Sequence, residues 1–195
     1  MSNKGKHFLS AAILAGGEAS RLNGLVKGKI VLPCGQTIIE HLLSELALVS
    51  LREVIIVAND ANHYVNYGRK VIPDLQKGLG PLAGIASALT YYANIHQATL
   101  FLPCDLPYIS ALEINALKNF YCNSDVPIVH AKTRIAHPLC AIVSNSLLGA
   151  ICASIDCGER NVSAVWRKLG CAALAFADEK PWVNINTPTD LNALQ

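Results

Sequence analysis

The chain has 195 residues, enough for one domain with a sizeable core and too few for two comfortable ones, since at this size about 70% of the unfolded surface is buried on folding. Hydrophobic residues make up 52% and charged residues 15%, against roughly 25% charged in an average soluble domain, so much of the chain reads as interior. A net charge of +2 and no Lys/Arg block argue against a nucleic-acid partner, and no apolar run approaches the ~18–20 residues of a membrane span.

Lys4 and Lys6, followed by Phe8 to Ala15, imitate a secretory leader. The reading adopted is a flexible tail over residues 1–7 and then a buried strand, Ala11–Leu14, because cleavage would breach the glycine loop that follows. A helix is predicted over Thr37–Val49 and a strand over Val54–Ala58. Pro81 opens a helix ending near Ala93, at a position where its missing N–H costs nothing. After the strand Thr99–Leu102 comes Ser110-Ala-Leu-Glu113, a capping box that starts another helix. Strands Ile128–Ala131 and Leu139–Val143, helices Asn145–Ser154 and Val162–Leu169, and strand Ala172–Phe176 complete the alternation. Thr187-Pro188-Thr189-Asp190 then combines a cap, a first-turn proline and an acid at a positive helix end. Most strands read as buried on both faces. The pattern predicts one α/β domain over residues 1–195, a parallel or mixed sheet with helices on both sides. The seven cysteines contain no C-x-x-C pair, which predicts mostly buried thiols in a reduced, cytoplasmic chain.

In such sheets the ligand crevice forms from loops at the carboxyl ends of the strands. Gly16-Gly17 follows the first strand directly, where two glycines are able to adopt positive φ and turn N–H groups toward an anion or a base. Arg21 and Lys27 come next, within reach of a polyphosphate; a tight turn with two solvated cations is the plainer reading. G-x-G-x-x-G is absent. A Walker A loop also fails, because counting back from Gly28-Lys29 puts Asn23 at the first glycine and Ile30 at the hydroxyl position.

Leu102-Pro-Cys-Asp105-Leu-Pro107 places a carboxylate just past a buried strand. That suits Mg²⁺, which takes one or two protein oxygens and leaves the rest to water and phosphate, although a turn aspartate fits as well. Gly78-Leu-Gly-Pro-Leu-Ala-Gly84 leads into the Pro81 helix, whose positive end is able to hold an anion or a base edge. In Val183-Asn-Ile-Asn-Thr-Pro188, Asn184 and Asn186 share one face of an extended segment, as ligand amides or as plain capping residues. His137 lacks any nucleophile context and reads as packed or at the surface. Arg160, in a polar turn, is available to an acidic ligand or simply paired with Glu159. Trp166 sits at helical spacing with Val162 and Leu169, which assigns it to the core.

Taken in order, L-A-G-G-x-x-x-R-L…K, G-P-L-A-G, P-C-D-L-P and N-I-N-T-P-x-D-L resemble the molybdenum cofactor guanylyltransferases, MobA-like nucleotidyltransferases. The likeness runs from Ala11 to Leu191 and includes the G-E-R-x-V turn. It implies a single-domain, Rossmann-like, glycosyltransferase-A-like fold with a mostly parallel mixed sheet flanked by helices. It also implies transfer of GMP from GTP to molybdopterin with release of pyrophosphate, dependent on Mg²⁺. Other molybdenum cofactor biosynthesis proteins or target enzymes are implied as partners.

By position, the resemblance puts Leu14, Ala15, Gly16 and Gly17 against the nucleotide and Arg21 and Lys27 on its phosphates. Gly80 and Gly84 shape the pocket, Asp105 holds Mg²⁺, Asn184 and Asn186 line the catalytic side, and Asn59 and Asp74 read guanine. The chain departs from the family at Val26, where an aspartate usually precedes the lysine, at Asn23-Gly24, and at Val57, polar in some relatives. Cytidylyl transfer, transfer to a sugar or polyol phosphate, and a nucleotide-binding module without catalysis are the alternative readings.

Overall fold

A computed structural model describes residues 9–16, 21–22, 25–76, 78–187 and 189–190, with only the backbone of residues 21 and 22. The tail, Gly17, Asn23, Gly24 and the end of the chain from position 191 lie outside the described residues. A seven-stranded sheet runs in the order β5-β4-β1-β6-β8-β7-β9, built from β1 (Leu9–Leu14), β4 (Val54–Val57), β5 (Lys70–Ile72), β6 (Ala98–Pro103), β7 (Ile128–Lys132), β8 (Ala136–Ser144) and β9 (Cys171–Ala175). Only β8 runs against its neighbours; every other described pairing in this sheet is parallel. A separate two-stranded ladder, β2 (Arg21–Leu22) with β3 (Leu25–Val26), pairs Arg21 with Val26.

Side-chain alternation along the central strands explains how they are buried on both faces. Ala11, Ile13, Ile56, Leu100 and Leu102 face one layer, with α1 (Ile38–Ala47) and α3 (Ala111–Cys122) packed over it. Ala12, Ile55, Val57, Phe101 and Val143 face the other, under α2 (Pro81–Tyr92), α4 (Leu148–Asp156) and α5 (Val162–Leu169). Trp166 is buried there and donates to the Pro138 carbonyl at 2.8 Å, so it belongs to the core, as its spacing predicts.

Two expectations need correction. Of the seven cysteines, only Cys104 and Cys140 are buried; Cys34 and Cys157 are exposed and three are intermediate. The reason is placement, since Cys34 and Cys157 lie in turns rather than on strands. Arg160 is not held out for an acidic ligand: its guanidinium donates to the carbonyls of Ile155 at 2.9 Å and Glu159 at 2.7 Å, satisfying the end of α4.

The topology places the site. From β1 the chain builds outward to β4 and β5, then crosses back to lay β6 on the other side of β1. Strand order therefore reverses at β1, and a crevice opens beyond the carboxyl ends at such a reversal. Short bonds carry the ladder into it: Ala15 N–H to the Val57 carbonyl at 2.8 Å, Ala58 N–H to Ile72 at 2.8 Å, and Cys104 N–H to Leu14 at 3.1 Å.

Candidate active site

Beyond those strand ends lies a cleft of about 970 Å³, reached by Leu14, Ala15, Gly16, Lys27, Gly80 and Asp105. Asn59, Asp74 and Gly84 line it too. Gly16 does not have positive φ. A Cβ on it would make only ordinary contacts, 3.4 Å from Asp74 Oδ2 and 3.6 Å from the Val57 carbonyl. Gly16 therefore leaves the strand end bare without any left-handed turn. Gly80, by contrast, stands at φ 71° and ends the loop that enters α2 at Pro81.

The Lys27 ammonium joins the parts of the site. It donates to Asp105 Oδ2 at 3.1 Å and to Asn186 Oδ1 at 2.7 Å, and the lysine is 4% exposed. Three separate segments thus meet: the turn after β3, the loop after β6 and the stretch around Asn186. The Ile185 N–H donates to the Asp105 carbonyl at 3.1 Å, which lays that stretch alongside the β6 loop. Asp190 Oδ2 accepts from the N–H groups of Asn186 at 2.9 Å and Thr187 at 2.8 Å, while Thr187 Oγ1 accepts from Asp190 N–H at 3.2 Å. This reciprocal cap holds the turn after Asn186 in place. With the apolar Val26 before it, the ammonium is oriented by Asp105 and Asn186.

Asp105 Oδ1 and Asn184 Oδ1 are buried and have no hydrogen-bond partner among the described residues. An unpaired buried acceptor carries a desolvation cost of about 1–3 kcal/mol, more when charged. Two such oxygens suit a hard divalent cation that needs few protein ligands. Among the described residues no three His, Cys, Asp or Glu side chains gather as a metal centre of softer type. Burial, and then the Asp105 carboxylate beside it, pushes the Cys104 thiol up to about 12. Such a thiol stays protonated at neutral pH.

At the opposite end of the cleft, Asn59 and Asp74 hold each other. Asn59 Nδ2 donates to Asp74 Oδ2 at 2.8 Å, and Asp74 N–H donates to Asn59 Oδ1 at 3.1 Å. Asp74 Oδ1 is left facing Gly84, where a Cβ would sit 3.0 Å from it. Burial raises the Asp74 carboxyl above its ordinary value, and the Asn59 hydrogen bond opposes that.

A second hollow of about 500 Å³ adjoins the cleft and shares Pro103 and Leu139 with it. Asn184 and Asn186 stand on its near side; His137, Trp182, Thr133 and Arg134 are on its walls. His137 is half-buried, shares a hydrogen bond with Thr133 Oγ1 at 3.0 Å and lies 5.6 Å from the Trp182 ring. Burial, then His130, lowers its pKa from the ordinary histidine value, and Glu179 opposes that. The exposed Arg134 guanidinium forms a two-point ion pair with Glu179, clipping the β7–β8 hairpin to the segment after β9.

The sequence-predicted residues Leu14, Ala15, Gly16, Lys27, Asn59, Asp74, Gly80, Gly84 and Asp105 therefore converge on one cleft, with Asn184 and Asn186 at its border. Gly17 and the Arg21 side chain lie outside the described residues; the backbone of Arg21 pairs beside Val26, next to Lys27. Sequence reasoning missed the Asp60–His63 pair, 3.2 Å apart and lining the cleft, and buried Tyr64 beneath it. An aspartate capping a short turn at Ala61–His63 was the available signal.

Residues 11–172 match the family described as MobA-like NTP transferase domain. A molybdenum cofactor guanylyltransferase of Acidiphilium cryptum is 32% identical over 202 residues, spanning 100% of this chain and 98% of that protein. One of Shewanella sediminis is 32% identical and covers 92% of both chains. A probable molybdenum cofactor guanylyltransferase of Clostridium perfringens is 37% identical over 137 residues, 70% of this chain and 66% of its own length. Among solved structures, a molybdopterin-guanine dinucleotide biosynthesis protein A from Archaeoglobus fulgidus superposes with a TM-score of 0.78 at 23% identity, covering 95% of this chain and 96% of that one. A CMP:2-keto-3-deoxy-manno-octonic acid synthetase complexed with CTP superposes with a TM-score of 0.75 at 13% identity, over 95% and 96% of the two chains. Both likenesses speak for the fold.

Proposed function

Because the chain belongs to the MobA-like NTP transferase family, a family of nucleotidyltransferases, we propose that it transfers GMP from GTP to molybdopterin and releases pyrophosphate. The observation that carries this reading is the meeting of Lys27, Asp105 and Asn186 where the large cleft borders the second hollow. A nucleotide in the cleft would put its phosphates at that border, and an acceptor in the hollow would bring its own phosphate from the other side.

The reaction asks little of side-chain acids and bases. The acceptor's phosphate is already an anionic nucleophile, so no proton has to be removed. One of its oxygens forms a bond to the α-phosphorus while the bond to the β-phosphate oxygen breaks. Catalysis then consists of alignment and charge neutralisation. Lys27, and Arg21 of the strand paired beside it, would meet the negative charge that develops on the phosphates. Asp105, with Asn184, would hold Mg²⁺, which when bound supplies charge neutralisation across the phosphate oxygens.

Asp74 and Asn59 would select the base. Guanine presents N–H donors on its Watson–Crick edge, and Asp74 Oδ1, the oxygen not bonded to Asn59, is an acceptor facing that slot. A GTP-consuming step also fits a cytoplasmic setting.

A melting titration with GTP, CTP, ATP and UTP in Mg²⁺ tests the base. GTP is expected to stabilise the protein most, and a CTP preference would move the reading to cytidylyl transfer. Asp105→Ala and Lys27→Ala are expected to lower the rate of pyrophosphate release from GTP plus molybdopterin by about 10²-fold or more each. GTP binding with no pyrophosphate from the unaltered protein would leave a binding module.

A further inference from the structure

We propose that His96 and Glu53 form a proton-operated clasp at the foot of α2. It closes when the imidazole takes up a proton, and it ties the turn after the helix to the start of β4.

His96 comes just before β6 and Glu53 just before β4, so both stand at the amino ends of the strands, away from the cleft. The His96 side chain is 9% exposed, and neither ring nitrogen has a hydrogen-bond partner among the described residues. Its Nε2 lies 3.9 Å from Glu53 Oε2, too far for a hydrogen bond. The carboxylate is nevertheless held toward the ring. Its other oxygen, Oε1, accepts from the Tyr91 hydroxyl at 3.0 Å, and the Glu53 carbonyl accepts from Ala11 N–H at 2.9 Å. The imidazole is fixed from its own side, edge-on to Tyr92 at 5.1 Å, while the N–H groups of Ile95 and His96 both donate to the Tyr92 carbonyl.

A buried polar ring left without partners is costly. Once protonated, both nitrogens donate, and an imidazolium bonded to a carboxylate closes to about 2.7–2.9 Å. A movement of about 1 Å is enough to reach that contact. Among the groups around the ring, Glu53 favours the charged form, while burial and Arg52 oppose it. The Tyr91 and Tyr92 hydroxyls of α2, both raised above their ordinary value, stay neutral; Asn145, which donates to the His96 carbonyl, brings no charge. Burial is the largest influence, so His96 charges below the ordinary histidine range. Stability from the neutral ring is present above that range and is lost as pH falls through the folded value. The clasp limits the loss. It also fixes α2 from the far end, since the first turn of the same helix carries Pro81 and Gly84 into the cleft.

Nuclear magnetic resonance of the whole protein, labelled with ¹⁵N at histidine and titrated from about pH 8 to about pH 5, tests the clasp. His96→Gln identifies the signal. As His96 charges, a ring N–H proton protected from exchange is expected, and Glu53→Gln should lack it. In that variant His96 should titrate about one pH unit lower or more. In acid, the Ile95 and His96 amides should exchange about tenfold more slowly in the unaltered protein than in Glu53→Gln, with no difference at high pH. An equal titration in the two proteins would overturn the proposal. So would a lower titration in Glu53→Gln without a protected proton in the unaltered protein, because the charges would then act across an open gap. No nucleotide enters the experiment, so its outcome is independent of the guanine assignment.

Discussion

Asp74 is pulled two ways. Its carboxyl is raised by burial, so the folded protein takes up a proton there more readily than the unfolded chain does. Stability from this group is fully present below the unfolded carboxylate range and is lost as pH rises through the higher folded value. At neutral pH the charge is a cost to the fold. Asp74→Asn is therefore expected to raise the melting temperature at pH 7, with the gain vanishing in acid, while weakening GTP binding; paired melting and titration curves check both. Gly84 poses a related contest. Alanine gains up to about 1 kcal/mol in a helix, but its Cβ would lie 3.0 Å from Asp74 Oδ1 and 3.3 Å from Leu14 Cδ2. Crowding of that kind costs about 1–3 kcal/mol, so Gly84→Ala should leave stability flat or slightly lower and reduce GTP affinity about tenfold or more. At this scale the sequence was legible where a residue type is chemically odd in its place: a glycine pair at a strand end, an aspartate between prolines. Tyr64 gave no such sign, because its burial depends on packing under a turn 36 positions earlier in the chain, at Gly28.

Elements were legible where they carry their own punctuation. Pro81 and the Ser110 capping box mark helix starts that the structure reproduces, and Val162–Leu169 is α5 with the same bounds. The predicted Asn145–Ser154 helix begins instead as a short tight turn, with α4 starting at Leu148. Asn145 is occupied elsewhere: it accepts from Thr99 Oγ1 at 2.8 Å and donates to the His96 carbonyl at 3.0 Å, tying the end of α2 to β6. Strand β5 escaped notice because Lys70-Val-Ile72 is too short to show a period. The ladder of β2 with β3 is shorter still. The start of α3 is served twice, by Ser110 and by Glu45 of α1, whose Oε2 accepts from Ala111 N–H at 2.7 Å. Ser110→Ala is expected to cost about 1 kcal/mol, seen as a melting shift of about 2–4 °C, with nucleotide binding unchanged.

For the whole molecule, the class of fold followed from alternating buried runs and capped helices, but the direction of β8 did not. An apolar strand reads the same whichever way it runs, and only pairing across the sheet decides it. The centre of that sheet carries the stability. Leu100, fully buried between β1 and β8, is expected to cost about 2–5 kcal/mol when cut to alanine, a large share of the 5–15 kcal/mol typical of a folded domain. Urea unfolding measures it. Glu179→Gln releases the clip on Arg134 at the surface, so melting should be unchanged and the KM for molybdopterin should rise, without effect on GTP.

The reversed strand has a consequence for how such a protein diversifies. Because β8 runs against the rest, its first residues, with the tip that precedes them, rise at the same rim as the glycine loop but from a different stretch of chain. One wall is thus replaceable without re-laying the other. Swapping residues 133–135 for a foreign tip should retune which phosphate ester is accepted while the chosen base stays the same, a division of labour open to evolution and to engineering alike.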